Sequence, residues 1–196
     1  MALVITRWLP GYSKSYEEQI SARLGVITSI ERVTHPRPGI TQLEGLRLIH
    51  PETSDPLFRA SVVEVARRKR TLSAVVTQPR LDAPQLSPFF RTLHDRLLTA
   101  PPSNLDAVTI DCRKLNLWST EGSHHLTSVS VRWEPTDEGP QASIQFRVHG
   151  LDMSEPAYVR IRRDRVVRPA ETRWHFHSAN MPLPCSLFAP LLPVLG

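Results

Sequence analysis

The chain is poor in the residues that announce a chemistry. Its two cysteines, Cys112 and Cys185, form no C-x-x-C pair, so a zinc site or a disulfide framework is excluded on count and at most one bridge can form. Glycine is scarce, 8 of 196 residues, and neither G-x-G-x-x-G nor a P-loop occurs, so nucleotide phosphates find no recognisable cradle. G-x-S-x-G and S-x-x-K are missing as well, and no cysteine has an evident histidine partner, which removes the familiar nucleophiles. No continuous apolar run approaches the ~20 residues of a spanning helix. The stretch before Arg7, "MALVIT", is shorter than a signal-peptide core and lacks a basic leader.

Proline is abundant at 18, and Lys+Arg outnumber Asp+Glu by 24 to 19, giving a formal charge of +5. That balance suits contact with anionic surfaces, phospholipid or nucleic acid, without choosing between them. Hydrophobic residues at 40% are enough for one sizeable core.

Two helices are legible. In "YSKSYEEQISARLG" the residues Tyr12, Tyr16, Ile20 and Leu24 recur every four positions and line one face, while Gly25 fits a C-terminal cap. In "APQLSPFFRTLHDRLLTAPP" an apolar stripe of Leu86, Phe89, Phe90, Leu93 and Leu97 opposes Arg91, His94, Asp95 and Arg96, and Pro101 and Pro102 stop it. Elsewhere short runs of Val, Ile, Leu and Thr alternate with Pro, Gly, Asp and Asn. They predict strands at Val26–Val33, Thr41–Ile49, Arg59–Ala66, Thr71–Pro79, Ala107–Trp118, Leu126–Glu134, Ala142–Gly150, Tyr158–Val167 and Thr172–His177. The expected fold is therefore α+β and β-rich: a curved antiparallel sheet of about eight or nine strands, an N-terminal helix near 13–24 and a middle helix near 84–98, in one domain over 1–196.

The clearest alternation is "ASIQFRVH", where Ala142, Ile144, Phe146 and Val148 face one way and Ser143, Gln145, Arg147 and His149 the other. The same pattern assigns Val129, Val131, Trp133, Val159, Ile161, Trp174 and Phe176 to an apolar face, as core or as a lipid-facing surface. Arg67, Arg68, Lys69 and Arg70 fall at a hairpin tip and suit an anionic surface. The arginines from Arg160 to Arg168 form a basic strand face from which Trp133, Phe146, Trp174 and Phe176 alternate away, a poor arrangement for stacking nucleic-acid bases. His175 and His177 share one strand face, with His149 a conceivable third metal ligand, but no carboxylate falls at ligand spacing. His124 and His125 are expected in a solvent-facing turn. Catalysis and bound cofactors are not expected. A small hydrolase would need a pocket joining His149, His175 or His177 to a carboxylate.

Taken in order, a helix ending "RLG", the strand–loop–strand "LEGLRLIHPETSDPLFRASVVEV" and the strand "LSAVVTQPRLDAPQL" resemble the AsmA-like family of bacterial envelope proteins. The resemblance is to a layout. It implies a curved sheet with a groove for acyl chains, a membrane anchor, and a role in lipid transport or outer-membrane homeostasis on the periplasmic side of the inner membrane. It also implies that the chain is part of a larger envelope protein, with phospholipid as partner; the alternative is a basic module for nucleic acid or another anionic partner. The apolar segment 181–196 is then expected to be a severed connection rather than a lid over the sheet.

Overall fold

The computed structural model describes residues 11–99, 104–119, 122–151 and 155–178. Segment 181–196 and Cys185 lie outside the described residues. The first element, α1 (Gly11–Leu24), ends where Gly25, at φ +70°, donates its N–H to Ser21 O at 2.8 Å. Tyr12, Tyr16, Ile20 and Leu24 all pack on the core, as their spacing requires.

Eleven strands then build one sheet: β1 (Ile27–Ser29), β2 (Arg32–Arg37), β3 (Ile40–Ile49), β4 (Pro56–Arg68), β5 (Thr71–Thr77), β6 (Arg80–Asp82), β7 (Ala107–Ser119), β8 (Gly122–Thr136), β9 (Gly139–Val148), β10 (Ala157–Asp164) and β11 (Glu171–His177). The β-rich α+β class is as expected. The surplus over nine strands comes from breaks: the expected Val26–Val33 strand is interrupted at Ile30 and Glu31, so that β2 starts afresh at Arg32 and runs past Val33 to Arg37, and β6 continues β5 past Gln78 and Pro79 in the same register against β7.

The sheet is mixed rather than wholly antiparallel. Neighbours follow sequence order, and all pairs are antiparallel except β5 and β6 against β7, which are parallel. The reason is the middle helical segment. A chain that leaves the end of β6 and is carried over a face of the sheet back to its opposite end re-enters in the same direction, which is the long crossover that parallel neighbours need. That segment is a 3-10 turn (Ala83–Gln85), α2 (Leu86–Leu93) and a π turn (His94–Leu98), where sequence gave one helix over 84–98.

A crease crosses five strands. Gly45, Gln78 and Ser128 have positive φ (65°, 50° and 51°), and pairing puts them at one level of the sheet. Around them the buried positions slip from a spacing of two to three, as in Leu43–Leu46, Ala60–Val63 and Leu126–Val129. Such slips bend strands and sharpen their twist.

Both helices sit on one face. Phe89 of α2 stacks on Phe58 of β4 with centroids 5.9 Å apart, and Trp133 of β8 donates to Leu97 O at 3.0 Å. His94 reaches Thr172 of β11, Nε2 to Oγ1 at 2.9 Å. The crossing segment thus spans the sheet from β4 to β11, and the opposite face carries no helix among the described residues.

Candidate functional site

Cross-strand register arranges the apolar face in rows, and the rows are unequally covered. One is Val129, Phe146 and Ala157, all buried, packed with Phe89 and Phe90. Another is Trp133, Ala142, Ile161 and Trp174; Trp133 and Ile161 are buried beneath Leu98 and Leu105. Between them runs Ile110, Val131, Ile144, Val159 and Phe176, paired in that order across β7 to β11. Ile110 is 38% exposed and Phe176 45%, with the three between half-buried.

The ten apolar residues anticipated from alternation therefore share one face but divide by role. Val129, Trp133, Phe146 and Ile161 are core. Val131, Ile144, Val148, Val159 and Trp174 are half-buried, and Phe176 is 45% exposed. Cys112, half-buried and in register between Val76 and Val129, packs on the same face; desolvation, with the Asp111 carboxylate beside it, pushes its thiol up to about 11, so it packs there in the protonated form.

The described surface also has a cleft of about 480 Å³ between α2 and the β3–β4 loop. Its walls include His50, Glu52, Ser87, Arg91 and Asp95, which is a polar lining unsuited to hydrocarbon. It lies away from the apolar band.

Arg67, Arg68, Lys69 and Arg70 are all exposed at the β4–β5 tip, as expected. Arg70 is engaged: its Nε is 3.0 Å from Asp106 Oδ1 and donates to Asn104 O at 2.8 Å, fastening the tip to the start of β7. Arg67, Arg68 and Lys69 are exposed, with Arg67 Nε donating to Lys69 O at 3.4 Å.

His124 and His125 depart from the expected solvent-facing turn, whereas His175 and His177 share one strand face as expected. His124 and His125 lie within β8, because that strand starts at Gly122 and leaves no turn there. Both are half-buried, and His125 Nδ1 is 2.8 Å from Asn116 Oδ1 with its ring 6.3 Å from that of His149. His149 lies beyond the β9 residues that pair with β10, and no group of three metal-binding side chains occurs among the described residues. His175 and His177 face Tyr158 instead: the Tyr158 hydroxyl is 3.2 Å from His175 Nε2, and the His177 ring stacks on the Tyr158 ring at 5.1 Å.

Sequence reasoning missed two things on the helix-free face. Tyr158 stands among the arginines, so that face does carry aromatic surface, and Trp118, 44% exposed, sits under the Arg80 guanidinium at 4.6 Å. Tyr158 was legible from alternation, since it shares parity with Arg160 and Arg162. Trp118 was not, because the crease inverts parity between Asp111 and Lys114.

No family model matches this chain, and no curated protein or solved structure matches it.

Proposed function

We propose that the chain is a non-enzymatic lipid-handling module of the bacterial envelope, part of a larger protein on the periplasmic side of the inner membrane, whose helix-bearing sheet face receives an acyl chain. The observation that carries this reading is the half-open row Ile110–Val131–Ile144–Val159–Phe176 between two covered rows. Five strands at ~4.8 Å spacing make a band about 19 Å long. That exceeds the ~15 Å of hydrocarbon in one leaflet, so one chain fits along it.

A band of this kind binds without chemistry. Transfer of hydrocarbon from water to apolar surface gives about 25 cal/mol per Å², and no polar group on the band needs desolvating. The AsmA-like layout of the first strands supports the same reading and supplies the envelope setting.

The test is displacement of a fluorescent fatty acid from the full chain. Binding in the micromolar range is expected, weakened about tenfold by Phe176→Ser. Phe176 is 45% exposed, and the melting temperature of the variant, read beside that of the parent, separates loss of binding from loss of fold. A parent chain that binds no acyl probe, or a Phe176→Ser variant that binds as the parent does, overturns the reading.

A further inference from the structure

On the helix-free face, Arg160 of β10 lies at the centre of a patch that carries no carboxylate among the described residues. Its direct neighbours are Ser143 and His175 across the strands and Tyr158 and Arg162 along its own strand. The diagonal positions are Gln141, Gln145, Arg173 and His177. Every one is neutral or cationic, and the Arg160 guanidinium itself rests 5.8 Å from the Tyr158 ring. Arg162 and Arg173 lie next to it but are ion-paired, with Glu138, Asp164 and Glu171 toward the hairpin end, so the patch rests on Arg160 itself.

The same hairpin ends in an apolar apex. Val166 is 71% exposed, the highest value among the exposed large hydrophobic residues described, and Arg165 and Arg168 stand on either side of it. This loop is held in shape. Asp164, only 5% exposed, accepts the backbone N–H of Val166 at 3.0 Å and of Val167 at 3.4 Å, while Arg165 N donates to Glu138 O at 2.8 Å. A loop that fixes a valine outward in water is bearing an unfavourable exposure that a hydrocarbon phase would remove.

From these two features we infer that the β10–β11 hairpin docks on an anionic phospholipid bilayer, with lipid phosphates on the Arg160 patch and Val166 in the acyl region. Arg160, with no carboxylate among its described neighbours on the strands, suits an anion, and the valine apex selects a membrane over a soluble phosphate or a nucleic-acid strand. Tyr158 is suited to the interface, where an apolar ring and a polar tip are both satisfied. This inference rests on the lipid-handling reading for its setting, but uses the other face of the sheet. The Arg67–Lys69 tip is a separate foot. Five strand spacings put it about 24 Å away, and a twist of ~20° per strand turns it from the hairpin.

The experiment is co-sedimentation of the full chain with vesicles of phosphatidylcholine, with and without phosphatidylglycerol, beside a fluorescent single-stranded oligonucleotide in solution. Binding is expected only with phosphatidylglycerol, reduced about fivefold by Arg160→Gln and about tenfold by Val166→Asn. Both residues are exposed, so melting temperatures should match the parent, and fatty-acid displacement should be unchanged in both variants. Equal sedimentation with neutral and anionic vesicles overturns the inference, as does vesicle binding indifferent to Val166→Asn, or oligonucleotide binding tighter than vesicle binding. A chain that holds the fatty acid but ignores both vesicle types overturns the docking inference alone.

Discussion

The indole N–H of Trp133 donates to the carbonyl oxygen of Leu97 at 3.0 Å, joining the last third of β8 to the π turn that follows α2. Trp133 is 7% exposed and lies in register with Val108 and Ala142, so one side chain fixes the crossing segment to the sheet and fills the row beneath Leu98. Replacing it by Phe keeps most of the apolar area but leaves a part-buried carbonyl short of a donor. A loss of about 1–3 kcal/mol is expected, read as a lower urea midpoint with an unchanged slope. No shift in the midpoint would mean that the bond is not made in solution.

The two faces of β9 should respond very differently to the same charge. Phe146 is 5% exposed, whereas Gln145 is exposed on the helix-free face. Phe146→Asp should cost more than about 3 kcal/mol, since it opens a cavity and buries an unpaired carboxylate; Gln145→Asp should stay within about 0.5 kcal/mol. Comparable melting shifts for the pair would show the faces to be misassigned.

Gly139 opens β9 at φ +139°, and a Cβ there would run into the backbone carbonyl of Arg163. Here the β8–β9 turn and the end of β10 approach most closely, beside the bond from Arg165 N to Glu138 O. Gly139→Ala should destabilise the protein by at least about 1 kcal/mol, through strain in the backbone and displacement of β10. Thermal unfolding checks this, and a neutral outcome would contradict the close approach.

Asp164 gives a pH signature. Burial pushes its carboxyl up, but the N–H groups of Val167 and Val166 and the guanidiniums of Arg173 and Arg162 outweigh that, so it titrates below the usual carboxylate range. A carboxyl depressed by folding contributes stability that is fully present above its unfolded pKa of ~3.9 and is lost as pH falls through the folded value. Stability should therefore decline below about pH 4, and Asp164→Asn should flatten that limb while leaving β10–β11 pairing in place. Parallel acid limbs for parent and variant, from urea midpoints between pH 2 and 6, would remove Asp164 from this role.

Local periodicity made much of the architecture readable in advance. The four-residue recurrence of Tyr12, Tyr16, Ile20 and Leu24 set the buried face of α1, and the two-residue alternation of Ile144, Phe146 and Val148 set the inner face of β9, because backbone geometry ties each period to one side of its element. The run Arg67–Arg70 had to be a tip, since no sheet interior accommodates four consecutive cations. What tertiary structure alone decided was everything that depends on register between distant segments. Pairing of β5 with β7 in parallel, the crease through Gly45, Gln78 and Ser128, and the assembly of Ser143, Tyr158, Arg160 and His175 into an acid-free patch each join residues that carry no signal of one another along the chain. The same holds for coverage. Val129 and Val131 are equally apolar and share a face, yet only Val129 is buried, because the Phe89–Phe90 end of the crossing helix packs over one row and leaves the next half-open.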